Sequence, residues 1–212
     1  SYKYLNGGPG APAFVWAHPR LINRFWQPLS GWFGHAAPFQ FTPDYQPAAG
    51  IDRYLCGTQS ALSLSVLQCG LDVFTEAEPY GGMAALRRKS LALTDLFMQL
   101  VQERCQGHGL GFATPDDHAL RGSQVCLTRS EGLGVDGKDS GAYAIVQALI
   151  ARGVIGDFRK GDGGKHLDIL RFGFTPLYVG FEDVSHAVEH LHQVLESGEW
   201  RQPQFNQVHA VT

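Results

Sequence analysis

The sequence predicts a mixed α/β protein in which an ordered, loop-rich segment and two long helices precede a compact unit of short strands and helices. Three observations support this. Gly, Pro and aromatic residues crowd residues 1–50, helical periodicity follows between residues 60 and 107, and strand-like and helical stretches alternate beyond residue 107. With 44% hydrophobic and 17% charged residues among 212, the composition fits a globular protein of one large or two modest domains.

Residues 1–50 are predicted to be ordered loop. The turn Asn6–Gly10 leads into the apolar stretch Ala13–Ala17, which predicts a short strand. The segment is too apolar for a flexible linker, and such loops often line a site or an interface. It holds three of the four tryptophans, Trp16, Trp26 and Trp32.

Two helices are predicted next. Apolar residues at helical spacing begin after Ser60 and predict a buried helix, which Cys69–Gly70 is expected to weaken near its end. The second helix begins after Pro79–Gly82 and continues to Gln106–Gly107. Its length suggests a connection between two domains.

The residues beyond Gly107 are predicted to form an α+β unit, with helices on one face of a small, largely antiparallel sheet related to split βαβ folds. Two Gly-rich inserts, Gly132–Gly141 and Lys160–His166, are expected to be exposed loops without chemistry. The predicted elements are strands Gly109–Thr114 and Gln124–Thr128, helix Ala142–Arg152, strands Val154–Phe158 and Asp168–Phe172, and helix Glu182–Leu195.

Charge, hydropathy and cysteine spacing exclude several classes of partner. The net charge is −3 and the basic residues are scattered, so no nucleic-acid binding is expected. The apolar runs are shorter than the ~20 residues of a membrane span, so no membrane partner is expected.

The cysteines are far apart, which favours reduced thiols in the cytoplasm. The first residues, without Met or a secretion signal, suggest an internal cut.

Lys3 is a candidate for covalent chemistry because it lies between two tyrosines, just before a Gly-rich turn. A lysine that forms Schiff bases must lose its proton near neutral pH, and partial burial among aromatic groups favours the neutral amine. Local composition alone favours an ordinary surface lysine. A nucleotide P-loop is excluded because no Gly-Lys-Ser/Thr ending follows Asn6–Gly10.

Arg171 is a candidate for substrate binding because it interrupts the apolar segment Leu170–Tyr178, where a charge must be paired or face a cavity. Its guanidinium can hold a ligand carboxylate with two parallel hydrogen bonds. A structural ion pair with Asp168 or Asp157 is the alternative, and composition favours neither.

The histidines give no metal site. His186, His190 and His192 can share a helical face, but no further ligands with zinc-like spacing accompany them. His35 lies in the aromatic segment, and its role is left open.

Five motifs, in order and spacing, cover nearly the whole chain: Ser1–Gly10, Ser30–His35, Gly50–Thr58, Arg121–Gln124 and Arg171–Tyr178. Together they resemble the kynureninases, which are fold type I pyridoxal-phosphate enzymes. The resemblance implies that residues 1–82 form the C-terminal part of a fold type I PLP-dependent transferase-like large domain. Residues 83–212 would then form a connecting helix and a small α+β C-terminal domain. The two Gly-rich inserts are longer than expected for the family.

The resemblance also implies roles for individual residues. Lys3 would carry pyridoxal 5′-phosphate as a Schiff base and shuttle protons, and Tyr2 would contact the cofactor phosphate and donate a proton. Trp32 and Thr58 match positions at which the neighbouring subunit of a homodimer completes the cofactor site. Arg171 matches the residue that binds the substrate's α-carboxylate. The acid that pairs with the pyridine nitrogen, and most phosphate ligands, would precede this chain.

The implied reaction is hydrolysis of L-kynurenine to anthranilate and L-alanine, a step of tryptophan catabolism and NAD biosynthesis, with the cofactor ring as electron sink. Kynurenine and its 3-hydroxy form are both left open as substrates. One alternative is a desulfurase or an aminotransferase of the same fold, although no cysteine has the exposed loop setting of a catalytic thiol. The other is a non-catalytic dimerisation module, or a fragment that needs an N-terminal half.

Overall fold

Residues 1–25, 27–130, 132–137 and 139–207 are described by a computed structural model. Trp26 of the aromatic segment and Lys138 of the first Gly-rich insert lie outside the described residues. The chain divides into two compact units, Ser1–Glu78 and Pro79–Thr212, which are described separately. None of the described helices is long and apolar enough to cross a membrane. The assignment of residues 1–82 and 83–212 to two domains stays a prediction.

The first unit consists of turns and short 3-10 helices followed by one long helix, α1, Ala61–Ala77. The predicted strand Ala13–Ala17 is wrong. Pro12 removes a backbone donor at its start, and the described part of this unit contains no neighbouring strand to accept its hydrogen bonds. The 3-10 helices are Trp32–Gly34, Pro38–Gln40 and Gly50–Tyr54.

Helix α1 begins as predicted and extends well beyond Cys69–Gly70, but the predicted burial is not seen in this unit, where Gly70 is the one buried residue of the helix. Ser60 caps its first turn, because its side chain accepts a hydrogen bond from the backbone N–H of Ser63. The helix continues to Ala77, and Gly70 is instead the point at which the first residues of the chain pack. A Cβ on Gly70 would lie 2.5 Å from the carbonyl oxygen of Leu5. Glycine at this position therefore lets the Lys3 segment approach the helix backbone.

The second unit begins with helix α2, Gly82–Arg104, after a 3-10 turn at Glu78–Tyr80. The predicted helix is confirmed. Its buried residues recur at helical spacing and form one side of the core: Leu93, Phe97, Met98, Leu100 and Val101.

The second unit contains the predicted small antiparallel sheet, with strand order β1-β2-β4-β3. Strand β3 starts at Asp157 rather than at the predicted Val154. The preceding residues instead form a turn on the end of the third helix, where the N–H of Val154 donates to the carbonyl of Leu149. The strands are β1, Leu110–Phe112; β2, Gln124–Arg129; β3, Asp157–Arg159; and β4, Asp168–Gly173.

Helices cover one face of this sheet. Helices α3, Ala142–Ala151, and α4, Phe181–Ser197, pack with α2 around the apolar side chains of β2 and β4. Because strand side chains alternate between faces, the other face carries half-buried polar residues. The register aligns three of them in one row across the strands: Cys126, Arg171 and Asp157.

The two Gly-rich inserts are exposed over most of their length, as predicted. The last two residues of the first insert, Ser140 and Gly141, are buried. Asp168 joins the two inserts, because its carboxylate accepts hydrogen bonds from the Ser140 hydroxyl and from the backbone N–H of Gly161. Two further 3-10 helices, Glu199–Arg201 and Pro203–Phe205, follow α4.

Candidate active site

Tyr2 and Lys3 lie in a hydrogen-bonded turn at the start of the first unit. The N–H of Gly8 donates to the Tyr2 carbonyl at 3.0 Å, and the N–H of Asn6 donates to the Lys3 carbonyl at 3.1 Å. Asn6 has φ of 57°, a left-handed conformation that asparagine tolerates better than most residues. The turn and its packing on Gly70 fix the backbone from which the Lys3 side chain extends.

The Lys3 amine lies 5.7 Å from the centroid of the Tyr2 ring, within range of a cation–π contact. Both side chains are exposed within this unit. The partial burial of the amine that the sequence suggested is therefore not provided by the first unit. The Lys3 amine and the Tyr2 phenol are nevertheless close enough to exchange protons with the same ligand.

Trp32 begins the 3-10 helix Trp32–Gly34, and its ring packs against Phe33, with centroids 4.5 Å apart. The buried residue His35 braces this turn. Its Nδ1 accepts a hydrogen bond from the N–H of Ala37 at 2.8 Å, and its Nε2 lies 3.1 Å from the carbonyl oxygen of Asp44. Because Nδ1 accepts, Nε2 must carry the proton and donate, so both ring nitrogens are used to hold the loop.

The segment that leads to Thr58 lies against the Trp32 turn. A Cβ on Gly31 would clash with the backbone carbonyl of Cys56, and a Cβ on Gly57 would lie 3.7 Å from the indole nitrogen of Trp32. The structure thus brings the Trp32 and Thr58 segments together. Among the described residues of the first unit, no hydrogen bond or ring contact joins either of them to Tyr2 or Lys3.

Thr58 is exposed two residues before the cap of α1. The first backbone N–H groups of a helix point outward and carry a partial positive charge, which favours an anion such as a phosphate. The hydroxyls of Ser60 and Ser63 lie 3.1 Å apart in the same first turn. Because the N–H and the hydroxyl of Ser63 both donate to the Ser60 hydroxyl, the donors left at this end of the helix for a phosphorylated ligand are the backbone N–H groups of Ala61 and Leu62 and the Ser60 hydroxyl.

Arg171 lies on the open face of the sheet, and its side chain is 27% exposed. One N–H of Nη2 donates to Oδ2 of Asp157, so the local ion pair that was the alternative for this residue does form. The other candidate acid, Asp168, is engaged with Ser140 and Gly161 instead. In the part of the chain that the structure describes, no other hydrogen bond from this guanidinium is present. Most of its five N–H donors are therefore free for a ligand.

The two less exposed cysteines are poor nucleophiles. Burial raises the pKa of the Cys126 thiol, although the positive charge of Arg171 and a hydrogen bond with Thr114 act in the opposite direction. Burial raises the pKa of Cys105 to about 11. Both thiols are therefore protonated at neutral pH.

Arg121 was assigned no role from the sequence, although it lies in one of the five motifs. Its side chain is only 3% exposed, pairs with Asp95 of α2, and donates to the Asp116 carbonyl at 2.9 Å. It therefore anchors the loop between β1 and β2 on the helix. Its polar neighbours, Asp117 and His118 before it and Ser123 after it, are typical of an exposed loop, so the sequence carries no local signal for this role.

The histidines of α4 do not form a metal site among the described residues. His190 lies beside Arg152, with Nδ1 3.4 Å from Nη1, and Arg152 is itself paired with Glu199. Within the described ranges, no group of three or more His, Cys, Asp or Glu side chains could hold a metal ion.

Comparison of the sequence with known proteins gives one family. The model of the kynureninase C-terminal domain matches residues 86–191. The chain is 52% identical over 212 residues to a kynureninase of Pseudomonas fluorescens and 51% identical to one of Burkholderia mallei (strain SAVP1). Each alignment covers 100% of this chain and 46% of the relative, so the chain spans about half the length of the curated relatives it matches.

Solved structures resemble the chain at lower identity. A cysteine desulfurase from Thermococcus onnurineus NA1 matches with a TM-score of 0.64 and 15% identity, over 86% of this chain and 42% of that one. A mutant C-DES with glycine covalently linked to its PLP cofactor matches with a TM-score of 0.58 and 19% identity, over 86% and 43%. Such likeness shows the fold alone. The likeness confirms the predicted fold class: the chain has the fold of part of these two enzymes.

Proposed function

This chain belongs to the kynureninase family, and from that premise we propose that it forms the C-terminal part of an enzyme that hydrolyses L-kynurenine to anthranilate and L-alanine. The observation that carries the proposal is the 52% identity over all 212 residues, together with the domain match over residues 86–191. The reaction would be a hydrolysis of the Cβ–Cγ bond in tryptophan catabolism. A cytoplasmic location is proposed as well, supported by the four free cysteines.

The first unit offers residues that fit pyridoxal 5′-phosphate. When bound, this cofactor supplies a conjugated ring that withdraws electrons from the bonds to be broken. Lys3 would hold it covalently, since its amine is accessible and its backbone is fixed by the turn to Asn6. The first turn of α1, which begins three residues after Thr58, has backbone donors suited to a phosphate group.

Two groups of the first unit are available to move protons. The Lys3 amine would take the proton from Cα of the substrate. The phenol of Tyr2 would contact the cofactor phosphate, and either Tyr2 or Lys3 would deliver a proton to Cβ after the bond is broken. The distance of 5.7 Å between the Lys3 amine and the Tyr2 ring supports their action on the same ligand.

Arg171 would bind the α-carboxylate of the substrate. Its guanidinium keeps free donors despite the Asp157 ion pair, and it lies on the face of the sheet that the helices of the second unit leave open. Two parallel hydrogen bonds to a carboxylate would fix the amino-acid end of the substrate and leave its aromatic ketone to other groups.

We propose further that the enzyme is a homodimer in which Trp32 and Thr58 complete the cofactor site of the neighbouring subunit. Support comes from the lack of contact between these residues and Lys3 within the described first unit. The unit also exposes many large apolar side chains, which are available to pack against a neighbouring subunit or another part of the whole protein. Seven of them are at least 73% accessible: Tyr4, Phe14, Trp16, Leu29, Phe39, Phe41 and Leu62.

A desulfurase is the second candidate, because a cysteine desulfurase shares the fold. The protonated state of Cys126 and Cys105 counts against these two thiols as its nucleophile. Cys56, in contrast, is exposed and lies outside the helices, so the expectation that no cysteine has an exposed loop setting is wrong, and the two activities are separated by experiment. The test is to incubate the intact protein, loaded with pyridoxal phosphate, with L-kynurenine or L-cysteine and to measure anthranilate fluorescence and sulfide. Anthranilate without sulfide is expected. Sulfide without anthranilate would replace the proposal with the desulfurase.

A further inference from the structure

Asp157 is held between two arginines. The register of β3 and β4 sets it directly opposite Arg171, whose Nη2 donates to Oδ2 of Asp157. Nη2 of Arg159 lies 2.9 Å from the same oxygen. Residues 157 and 159 are two apart on one strand, so their side chains share the open face of the sheet with Arg171.

The hydrogen bond from Arg171 to Asp157 restrains the Arg171 side chain and leaves most of its N–H donors free. A guanidinium is planar, so a single hydrogen bond from one nitrogen to a residue on a neighbouring strand greatly restricts the plane of the group. Only one of the five N–H donors of Arg171 is used by Asp157. An arginine held in this way has two parallel N–H donors already oriented for a carboxylate, so it loses less side-chain entropy on binding.

Arg159 offsets the charge that Asp157 would otherwise place beside the site. Arg171 and Asp157 alone form a neutral pair, which would attract an anion weakly. With Arg159 on the same carboxylate oxygen, the three side chains carry one net positive charge. The positioning carboxylate can therefore lie next to the substrate-binding arginine without cancelling its attraction for an anion.

We propose that Asp157 is the positioning residue for Arg171 and that Arg159 is the counter-cation that keeps this site attractive to a carboxylate. The inference rests on the proposed function, because it concerns recognition of the substrate's α-carboxylate. It assigns to β3 a role in substrate affinity.

The test uses the intact enzyme with bound pyridoxal phosphate and the variant Asp157→Asn, which keeps the size and an acceptor oxygen but removes the charge. KM for L-kynurenine is expected to rise about tenfold, with kcat within about twofold, because the lost orientation of Arg171 outweighs the stronger attraction of the two arginines once the Asp157 charge is removed. Arg159→Gln is expected to raise KM about threefold through lost attraction. The matched control is Asp162→Asn, an exposed aspartate in the β3–β4 loop, which should leave KM unchanged.

Two measurements separate positioning from a general structural effect. In an Arg171→Gln background, Asp157→Asn should have no further effect on KM, because its influence passes through the arginine. A competitive inhibitor that lacks the α-carboxylate, the decarboxylated form of kynurenine, should bind wild type and Asp157→Asn equally well. Unequal binding of this amine, or additive effects of the two substitutions, would show a structural role instead and would overturn the inference.

The remaining outcomes distinguish this inference from the proposed function. A lower KM in Asp157→Asn would mean that the aspartate competes with the substrate, which contradicts positioning. Normal anthranilate release with equal KM in wild type and Asp157→Asn would overturn the inference and leave the function standing. Absence of anthranilate release in the wild-type enzyme would overturn both.

Discussion

Gly31 lies so close to Cys56 that a Cβ on the glycine would be 1.6 Å from the Cys56 carbonyl oxygen. The backbone of Gly31 has φ of −107°, which any residue can adopt. Space, and not conformation, therefore requires glycine here. The contact joins the turn that carries Trp32 to the segment that leads to Thr58.

Gly31→Ala is expected to separate these two segments. If they form one cofactor-binding surface, the affinity for pyridoxal phosphate should fall at least about tenfold, since overpacking forces the backbone to move. Titration of the apoenzyme followed by visible absorbance measures this. Gly57→Ala is the matched control, because its Cβ would make an ordinary contact, 3.7 Å from the Trp32 indole nitrogen. Equal affinity for pyridoxal phosphate in Gly31→Ala and wild type would show that the Gly31–Cys56 contact does not support cofactor binding.

Arg171→Lys should affect the substrate far more than the cofactor. A point charge replaces a two-pronged donor, so KM for L-kynurenine is expected to rise about tenfold or more, with cofactor affinity within about twofold. Steady-state kinetics and cofactor titration give the two quantities. Arg159→Lys, which keeps its charge at an exposed position, should change KM by no more than about twofold. An unchanged KM in Arg171→Lys would reject the assigned role.

Shared sites predict that two inactive variants can restore activity when mixed. If Lys3 comes from one subunit and Trp32 from the other, a hybrid of Lys3→Ala and Trp32→Ala subunits contains one complete site. After equimolar subunit exchange, about a quarter of wild-type activity is expected, because half of the dimers are hybrids and each has one of two sites. Tyr2→Phe mixed with Lys3→Ala should give no recovery, since both residues lie in one turn. Failure of the first mixture to recover would contradict the shared site.

The Asp95–Arg121 pair should stabilise the second unit in a pH-dependent way. Burial alone would raise the pKa of Asp95, but the hydrogen bonds and charges of His118 and Arg121 lower it below its ordinary value. A lowered pKa in the folded state gives stability that is present above the unfolded-state value and is lost as the pH falls through the folded value.

Asp95→Asn should therefore lower the free energy of unfolding by about 1–2 kcal/mol at neutral pH, a modest loss because solvent screens the half-exposed carboxylate. The difference from wild type should shrink in acid. Urea unfolding at several pH values measures it, and Asp116→Asn, an exposed residue in the Arg121 loop, should be neutral. A difference that is constant with pH would contradict the ionic origin.

Elements with clear apolar periodicity could be predicted from the sequence, and long-range contacts could not. Helices α2 and α4 and strands β2 and β4 follow the patterns of their buried residues. Gly70 was expected near the end of α1 but lies well inside it, because that glycine packs on the backbone of Leu5, sixty-five residues earlier. The strand at Ala13–Ala17 failed because an apolar run forms a strand only beside a partner.

In the candidate site, too, residue types could be predicted from the sequence and long-range contacts could not. Lys3 and Arg171 could be singled out by residue type and neighbours, whereas their roles, and those of Trp32 and Thr58, came from family resemblance. The pairing of Asp157 with Arg171 depends on the register of β3 and β4, which the sequence does not specify locally. The bracing role of His35 depends on where the loop returns to Asp44.

The attachment of the cofactor to Lys3 is the central claim, and the most direct test is to reduce the intact, cofactor-loaded enzyme with borohydride and map the modified peptide by mass spectrometry. The modification is expected on Lys3. Lys3→Ala should lose both the visible absorbance of the lysine-bound cofactor and anthranilate release, while Lys160→Ala, at an exposed position, should keep both. A modification on any other lysine, or a Lys3→Ala enzyme that still releases anthranilate at the wild-type rate, would contradict the account.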